Sequence, residues 1–303
     1  MSLYDILDPR FNDLIVGNAL LERLADGFRW AEGPAWFGDM EALVFSDVPS
    51  NRMLLWREAG GLQVFREPSG YANGNSRDRQ GRLVTCSHLH RAIQRTEHDG
   101  RIVVLADAFE GKRLNSPNDV VVKSDGSIWF SDPPYGINGD YQGARARQEL
   151  PCNVYRLDPD TRQLAVVADS FAAPNGLAFG PGERQLYIAE TGDPSGHPTA
   201  HISVFEVSSD GTRLSAGRVL HEFDKGNADG FRIDESGNLW CGHADGVLCL
   251  APDGTPLGKI NVAATVANVE FGGLKRNRLF LCASQAVYAI YVNTRGLAGA
   301  NPP

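Results

Sequence analysis

Residues 227–246 read NADGFRIDESGNLWCGHADG, an acid followed by alternating apolar residues, a turn and a second apolar stretch. Asp229 stands just before Phe231 and Ile233, where the alternation predicts a β-strand that enters a core. The turn DESG then leads into Leu239 and Trp240, as expected for two antiparallel strands joined by a tight hairpin. A carboxylate at the start of a buried strand needs an interaction partner. Five similar stretches of the sequence indicate what kind of partner this is.

The second strand of this hairpin recurs along the chain. Each copy has a polar or small residue, then Leu or Ile, then an aromatic residue or Val, and a small or polar end. The Leu or Ile anchors are Leu43, Leu83, Ile128, Leu186, Leu239 and Leu279. Their separations of 40, 45, 58, 53 and 40 residues suit four-stranded propeller blades. The sequence therefore predicts an all-β, six-bladed β-propeller forming one domain over residues 1–303, with about residues 1–25 as an N-terminal extension and closure.

A carboxylate or carboxamide precedes every anchor by ten or eleven residues. These residues are Glu32, Asn73, Asn118, Asn175, Asp229 and Asn268. One such residue alone is readily explained as an Asx-turn or a cap at a strand start. Ser, Thr or Gly would serve equally well as caps, yet none occupies the position in any repeat. Because the innermost strand of each blade runs along the central channel, the six side chains are expected to form a ring around it.

A ring of carboxylate and amide oxygens suits one hard divalent cation in the channel. Ca²⁺ is the expected ion, and Mg²⁺ or Mn²⁺ would suit the same donors. Zn²⁺ and Fe²⁺ are further alternatives, although they usually take His or Cys ligands, which the ring lacks. An incomplete protein shell would leave a position for water or for a substrate carbonyl, and so would permit Lewis-acid catalysis.

Four segments carry a resemblance to a known family. They are EGP from residue 32, GKRLNSPNDVVVKSDGSIWFSDPPYGI from residue 111, PNGLAF from residue 174 and ADGFRIDESGNLW from residue 228. Together they resemble the family of gluconolactonases, senescence marker protein (regucalcin) and luciferin-regenerating enzyme, over roughly residues 25–292 and closest to its bacterial sugar-lactonase branch. The resemblance implies a propeller with one catalytic cation that hydrolyses aldono-1,5- or 1,4-lactones to aldonic acids.

The resemblance also implies roles for individual residues. The family's metal ligands correspond here to Glu32, Asn118, Asn175 and Asp229. In the family's scheme Asp229 is both a ligand and the general base that activates water. A neighbouring acid sharing the task of base is the alternative.

Five residues are candidates for substrate binding. Asn73 and Asn268, the two ring members outside the ligand set, are expected to line the pocket or its floor. Tyr135 of the DPPYG segment is a candidate wall for a sugar face. Animal members carry an Arg two residues before the third-blade Asn, whereas this chain has Ser116 there. Arg113 is therefore only a hypothetical clamp, with a surface salt bridge as the alternative.

The segment SHLHR places two histidines, His88 and His90, at alternate positions of the second blade. On a continued strand both would share one face. His90 is the one taken to reach the pocket, and a solvated histidine is the alternative.

Composition and charge exclude several classes of protein. A formal net charge of −8 without a basic run argues against a nucleic-acid partner. Five cysteines without CxxC spacing argue against a disulfide framework and a structural zinc site. No stretch approaches the roughly 20 apolar residues that cross a bilayer, and the N-terminus lacks the pattern of a secretory signal. The expectation is a cytoplasmic protein that acts on a small sugar lactone without a membrane partner; its oligomeric state is left open.

Two other functions fit the same pattern. Paraoxonase-like and phosphotriesterase-like hydrolases of other esters use the same fold with a similar ring, and fold alone does not fix the substrate. A calcium-binding or ligand-binding propeller without catalysis is the other alternative. An open metal position beside Asp229 and chelator-sensitive acid release distinguish a lactonase from such a protein.

Overall fold

The computed structural model describes residues 2–192, 199–226 and 228–297 of the chain. Within these ranges the regular structure consists of β-strands and short 3₁₀ helices. The strands form six sheets of antiparallel strands around a channel, together with one small hairpin, which confirms the predicted six-bladed propeller. The 3₁₀ helices are Pro9–Asp13, Gly38–Met40, Val48–Ser50 and Pro181–Glu183.

Two N-terminal strands, β1 (Tyr4–Ile6) and β2 (Glu22–Asp26), precede the first blade. From the inside outwards, blade one has β3 (Ala31–Phe37), β4 (Ala42–Asp47), β5 (Arg52–Arg57) and β6 (Gly61–Arg66). Blade two has β7 (Ala72–Arg77), β8 (Leu83–Ser87), β9 (Ala92–Thr96) and β10 (Ile102–Ala106), and is followed by the small hairpin of β11 (Ala108–Phe109) and β12 (Lys112–Arg113). Blade three has β13 (Val120–Val122), β14 (Ile128–Asp132), β15 (Asn153–Leu157) and β16 (Leu164–Ala168).

The remaining three blades complete the circle. Blade four has β17 (Pro174–Phe179), β18 (Gln185–Glu190), β19 (His201–Glu206) and β20 (Arg218–Glu222). Blade five has β21 (Phe231–Ile233), β22 (Leu239–His243), β23 (Gly246–Leu250) and β24 (Pro256–Asn261), with β1 paired outside β24. Blade six has β25 (Asn268–Gly272), β26 (Arg278–Ala283) and β27 (Ala286–Tyr291), and β2 is its outermost strand. Pairing of β2 with β27 therefore closes the ring between the two ends of the chain.

All six predicted anchors lie in the second strand of a blade, in β4, β8, β14, β18, β22 and β26. The spacing of the anchors therefore located every blade. The innermost strands β3, β7, β13, β17, β21 and β25 contact one another in a closed cycle around the channel. The polar residue that precedes each anchor lies at or just before the start of one of these strands.

The apolar core of the described residues lies between neighbouring blades. Trp129 of blade three, for example, is fully buried with Leu177 and Phe205 of blade four. Phe11 packs against the fully buried Trp240, which joins the N-terminal segment to blade five. Each fully buried side chain of this size contributes roughly 1.5–3 kcal/mol. The stability of the propeller therefore comes mainly from blade packing rather than from the polar ring.

Four of the five cysteines are buried in the blades, and Cys152 is half-buried. All five thiols are free. In the described part of the chain, no helix has the length and apolar character needed to cross a membrane.

Candidate active site

Six polar side chains surround one end of the central channel. Four of them lie in the first two residues of an innermost strand, and Asn118 and Asp229 stand two residues before theirs. All are buried except Asp229, which is half-buried. The six positions lie on neighbouring strands, because the innermost strands contact one another side by side around the channel.

Glycine follows the ring residue in four blades, and close packing explains why. These glycines are Gly33, Gly74, Gly176 and Gly230. Gly33 has a φ of +55°, and a Cβ there would overlap the backbone carbonyl of Asn73. A Cβ on Gly230 would overlap the side chain of Asn268. At Gly33 and Gly230 any side chain would therefore prevent the close approach of the neighbouring blade.

Asn268 orients Glu32. Its Oδ1 accepts a hydrogen bond of 2.9 Å from the backbone N–H of Val269, and its Nδ2 donates one of 3.0 Å to Oε2 of Glu32. The backbone N–H of Gly33 donates to the same carboxylate oxygen. Oε1 of Glu32 has no such donor among the described residues and is left for the channel. Asn268 was predicted to bind substrate, but the structure shows both ends of its amide bonded to protein.

Thr191 fixes the orientation of Asn175. The Thr191 hydroxyl donates a hydrogen bond of 2.8 Å to the carbonyl oxygen of Ala228, since a carbonyl can only accept. The Thr191 oxygen therefore accepts the 2.9 Å hydrogen bond from Nδ2 of Asn175. The amide of Asn175 also lies near the Asp229 carboxylate and opposes the rise in its pKa. Oδ1 of Asn175 is consequently left without a partner among the described residues.

Three buried carboxyl groups, those of Glu32, Asp119 and Asp229, lie close together. Burial, followed by repulsion from Asp229 and from Asp119, raises the pKa of Glu32 well above its ordinary value. Burial and repulsion from Asp119 raise the pKa of Asp229 to about 7. Although Asp229 keeps some solvent exposure as a residue, its carboxyl group is surrounded by protein, and the charged forms of these acids repel one another.

One guanidinium group lies near these acids and is shared. Nη1 of Arg232 lies 4.0 Å from Oδ2 of Asp119, while Nε of Arg232 donates a hydrogen bond of 2.9 Å to Glu270. Burial raises the pKa of Asp119, and the charge of Arg232 opposes this. The single charge of Arg232 is therefore shared among Glu270, Asp119 and Glu32, so it cannot balance these acids together with Asp229, and the ring keeps an excess of negative charge.

The donors of the ring fit a divalent cation. Oε1 of Glu32, the carboxamide of Asn118 and Oδ1 of Asn175 form no hydrogen bond with the described protein groups, and Asp229 supplies a second carboxylate. In the described ranges no group of three or more His, Cys, Asp or Glu is arranged as a metal site. The ring has only two carboxylates and otherwise amides, so its donor set is one of oxygens, as Ca²⁺, Mg²⁺ and Mn²⁺ prefer.

The raised pKa of Asp229 predicts how the stability of the cation-free protein depends on pH. Between about pH 4 and 7 the folded protein keeps a proton on Asp229 that the unfolded chain releases, so this residue lowers the free energy of unfolding as the pH rises. Asp229→Asn should therefore raise the melting temperature in chelator, by more at pH 7 than at pH 4. Thermal denaturation of both proteins across this range measures the difference.

The difference in melting temperature between Asp229→Asn and the wild type, taken at each pH, removes the contribution of other titrating groups. Burial lowers the pKa of His88 to about 4, so His88 acts in the opposite direction, with stability lost as the pH falls. A difference in melting temperature that is constant from pH 4 to 7 would contradict the assignment to Asp229.

Tyr135 lies beside Asp229 and Thr191 on the loop after β14. Burial raises the pKa of Tyr135, the Thr191 hydroxyl opposes the rise, and the charges of Asp229 and Glu190 add to it. The Tyr135 hydroxyl therefore stays protonated at neutral pH and can donate a hydrogen bond next to Asp229. The structure therefore places Tyr135, a substrate-binding candidate from the sequence, next to the ring.

The structure places the other two candidates outside the ring. His90 is exposed, and its Nδ1 contacts the Ser87 hydroxyl at 2.8 Å. Arg113 is also exposed, and its Nη2 donates a hydrogen bond of 2.6 Å to the carbonyl of His90. The strand β8 ends at Ser87 and the chain then turns, so His88 and His90 do not share one face of a continued strand. His88 contacts the ring instead, 3.3 Å from Nδ2 of Asn73.

Sequence reasoning missed Asp119 and Thr191 as site residues. Asp119 directly follows the ring residue Asn118 in SPND, and its charge acts on the carboxyl groups of Glu32 and Asp229. Thr191 follows β18 and reaches Asn175 from the second strand of the same blade. A search of the positions after each anchor strand, and not only of those before it, would have found Thr191.

The chain resembles known proteins over nearly its whole length. The family model described as SMP-30/gluconolactonase/LRE-like region matches residues 30–285. A gluconolactonase of Zymomonas mobilis is 34% identical over 315 residues, which cover 95% of this chain and 85% of the relative. A pentonolactonase of Haloferax volcanii is 25% identical over 84% of this chain and 81% of its own length. The solved structure of a gluconolactonase from Xanthomonas campestris is 38% identical and superimposes with a TM-score of 0.89 over 96% of this chain and 95% of that chain.

Proposed function

The chain belongs to the SMP-30/gluconolactonase/LRE-like family and is a lactonase, and from this premise we propose that it hydrolyses sugar lactones with one divalent cation bound in the ring. The substrates proposed are aldono-1,5- or 1,4-lactones, and the product is the aldonic acid. Ca²⁺ is the proposed ion, and Mg²⁺ and Mn²⁺ would suit the same oxygen donors.

The observation that supports cation dependence most strongly is the pairing of excess negative charge with free amide oxygens. Glu32 and Asp229 repel each other in a buried site whose nearest guanidinium is shared elsewhere. Thr191 holds Asn175 with its amide oxygen unpartnered. A site of this kind is costly to the folded protein unless a cation occupies it. Glu32, Asn118, Asn175 and Asp229 are therefore the proposed ligands.

A divalent cation held by Glu32, Asn118, Asn175 and Asp229 would supply positive charge that stabilises the negative charge developing on the lactone carbonyl oxygen during hydrolysis. Asn268 and Gly33 hold the Glu32 carboxyl group in one orientation, so this ligand is already in position before substrate binds. The buried surroundings of the ring restrict bulk water, which strengthens the electrostatic interactions within the site.

Asp229 is the proposed general base. Its carboxylate takes a proton from a water molecule as the water oxygen bonds to the carbonyl carbon of the lactone. The bond between that carbon and the ring oxygen then breaks, and Asp229 returns the proton to the ring oxygen. The product is an open-chain hydroxy acid, which ionises in solution. A pKa of about 7 in the cation-free protein suits a base, and a neighbouring cation would lower it.

The proposal is tested by acid release from D-glucono-1,5-lactone and D-xylonolactone above the spontaneous rate. The chelator-treated protein should lose at least about nine-tenths of its activity, and adding back Ca²⁺, Mg²⁺ or Mn²⁺ should restore it. A pH-stat measures the rate for each lactone and ion. Activity that is insensitive to chelator, or no acceleration with either lactone, would contradict the proposal.

A further inference from the structure

His88 lies directly after β8, between Asn73 of the ring and the loop after β14. The residue is 1% exposed. Its Nδ1 lies 2.9 Å from the carbonyl oxygen of Gln142, and its Nε2 lies 3.3 Å from Nδ2 of Asn73. Gly136 packs against it so closely that a Cβ there would lie 2.5 Å from Cγ of His88. His88 therefore joins the ring to the loop that carries Tyr135.

These contacts fix the tautomer of His88. A carbonyl oxygen accepts hydrogen bonds and cannot donate them, so Nδ1 must carry a hydrogen to bond Gln142. Burial lowers the pKa of His88 to about 4, so the ring is neutral at pH 7 and Nε2 has no hydrogen. Nε2 can then only accept, and the group of Asn73 that faces it must be the amide NH₂.

The amide oxygen of Asn73 is consequently turned away from His88. Oδ1 of Asn73 is buried and has no hydrogen-bond partner among the described residues. The backbone carbonyl of Asn73, in contrast, accepts hydrogen bonds from Ser46 (2.8 Å) and from Asn75 (2.9 Å). A buried acceptor without a donor destabilises the folded protein, so this oxygen at a ring position needs a donor that the described residues do not supply.

We propose that His88 is a positioning residue that holds Asn73 so that its Oδ1 accepts the hydrogen of a hydroxyl group on the lactone ring. The inference rests on the proposed lactone hydrolysis and names what the site selects, a lactone with ring hydroxyls over one without them. A site built to bind a hydroxyl group discriminates strongly against an analogue that lacks it, because the buried acceptor is then left unpaired.

The tautomer is tested without any measurement of activity. The ring ¹⁵N chemical shifts of His88, assigned by their loss in His88→Gln, report which nitrogen carries the hydrogen. The Nδ1-protonated neutral ring is expected at pH 7. Protonation at Nε2, or at both nitrogens, would overturn the inference, because Asn73 would then present its oxygen to His88.

Selectivity is tested with D-glucono-1,5-lactone and δ-valerolactone, a six-membered lactone without hydroxyl groups. Asn73→Leu should lower kcat/KM for gluconolactone about 10- to 100-fold and that for valerolactone less than about threefold. His88→Phe should shift the ratio of the two values in the same direction, because the amide of Asn73 is then free to rotate. His90→Phe is the matched control and should leave the ratio unchanged.

Each other outcome overturns a different claim. Equal losses for both lactones in Asn73→Leu would show a merely structural role for Asn73. Weaker cation binding in Asn73→Leu would assign Oδ1 to the cation instead of the substrate. An inactive wild-type protein that has the Nδ1-protonated ring would count against the proposed function while supporting the His88–Asn73 geometry. An active, cation-dependent wild type with no change of selectivity in the variants would overturn this inference alone.

Discussion

Replacing Asp229 by asparagine is expected to lower kcat for D-glucono-1,5-lactone about 10³-fold at saturating cation. Asparagine keeps the size of the side chain and one oxygen, but it cannot take a proton from water. The fold should survive, because the core lies between the blades and the pKa of Asp229 is raised by burial and repulsion in the folded protein. Initial rates in a pH-stat, with the melting temperature measured alongside, separate the loss of catalysis from a loss of folding.

Asp119 provides the matched control for this prediction. It is a buried acid beside Glu32 and Asp229, but Arg232 lies near its Oδ2 and the N–H of Val120 donates to its Oδ1. Asp119→Asn should reduce kcat less than about tenfold. A larger loss in Asp119→Asn than in Asp229→Asn would transfer the role of base to Asp119. Retention of both cation and turnover by Asp229→Asn would remove that role from Asp229.

Replacing Glu32 by glutamine is expected to weaken cation binding at least about 100-fold. The substitution removes one of the two ring carboxylates, and it also places an amide where Asn268 and Gly33 now donate to Oε2. Cation titration by calorimetry measures the affinity. Activity at low cation concentration should fall in parallel and recover in part when the concentration is raised.

Asp234 is the control for Glu32. It is fully buried at the other end of β21, where it accepts hydrogen bonds from Asn238 and Trp240. Asp234→Asn should lower the stability by about 1–3 kcal/mol and leave the cation affinity unchanged. An equal loss of affinity in both variants would mean that cation binding reports the integrity of the fold rather than ligation by Glu32.

The fold could be predicted from the sequence because each blade repeats one pattern. The Leu or Ile anchor is required by packing between blades, and the polar residue upstream lies where the innermost strand begins. Both requirements apply at fixed positions within each blade. The spacing between the polar residue and the anchor is therefore nearly constant, even though the repeats differ in sequence. Glycine after the ring residue repeats for a similar reason, since neighbouring strands meet there.

The finer arrangement of the site could not be read from the sequence, because it depends on contacts between distant segments. His88 and His90 look equivalent in SHLHR, and only the turn after Ser87 separates a buried histidine from an exposed one. The two amides of Asn175 and Asn268 have the same residue type and position, yet their partners give them different roles. Such partners come from elsewhere in the fold and leave no local signal.

We propose that carboxylate and amide oxygens from four blades hold one cation at the end of the channel. The most direct measurement is an anomalous difference map from crystals soaked in Mn²⁺. A single strong peak is expected in the channel within about 2.6 Å of oxygens of Glu32, Asn118, Asn175 and Asp229. A map without a peak there, or with a cation bound only at other residues, would contradict it.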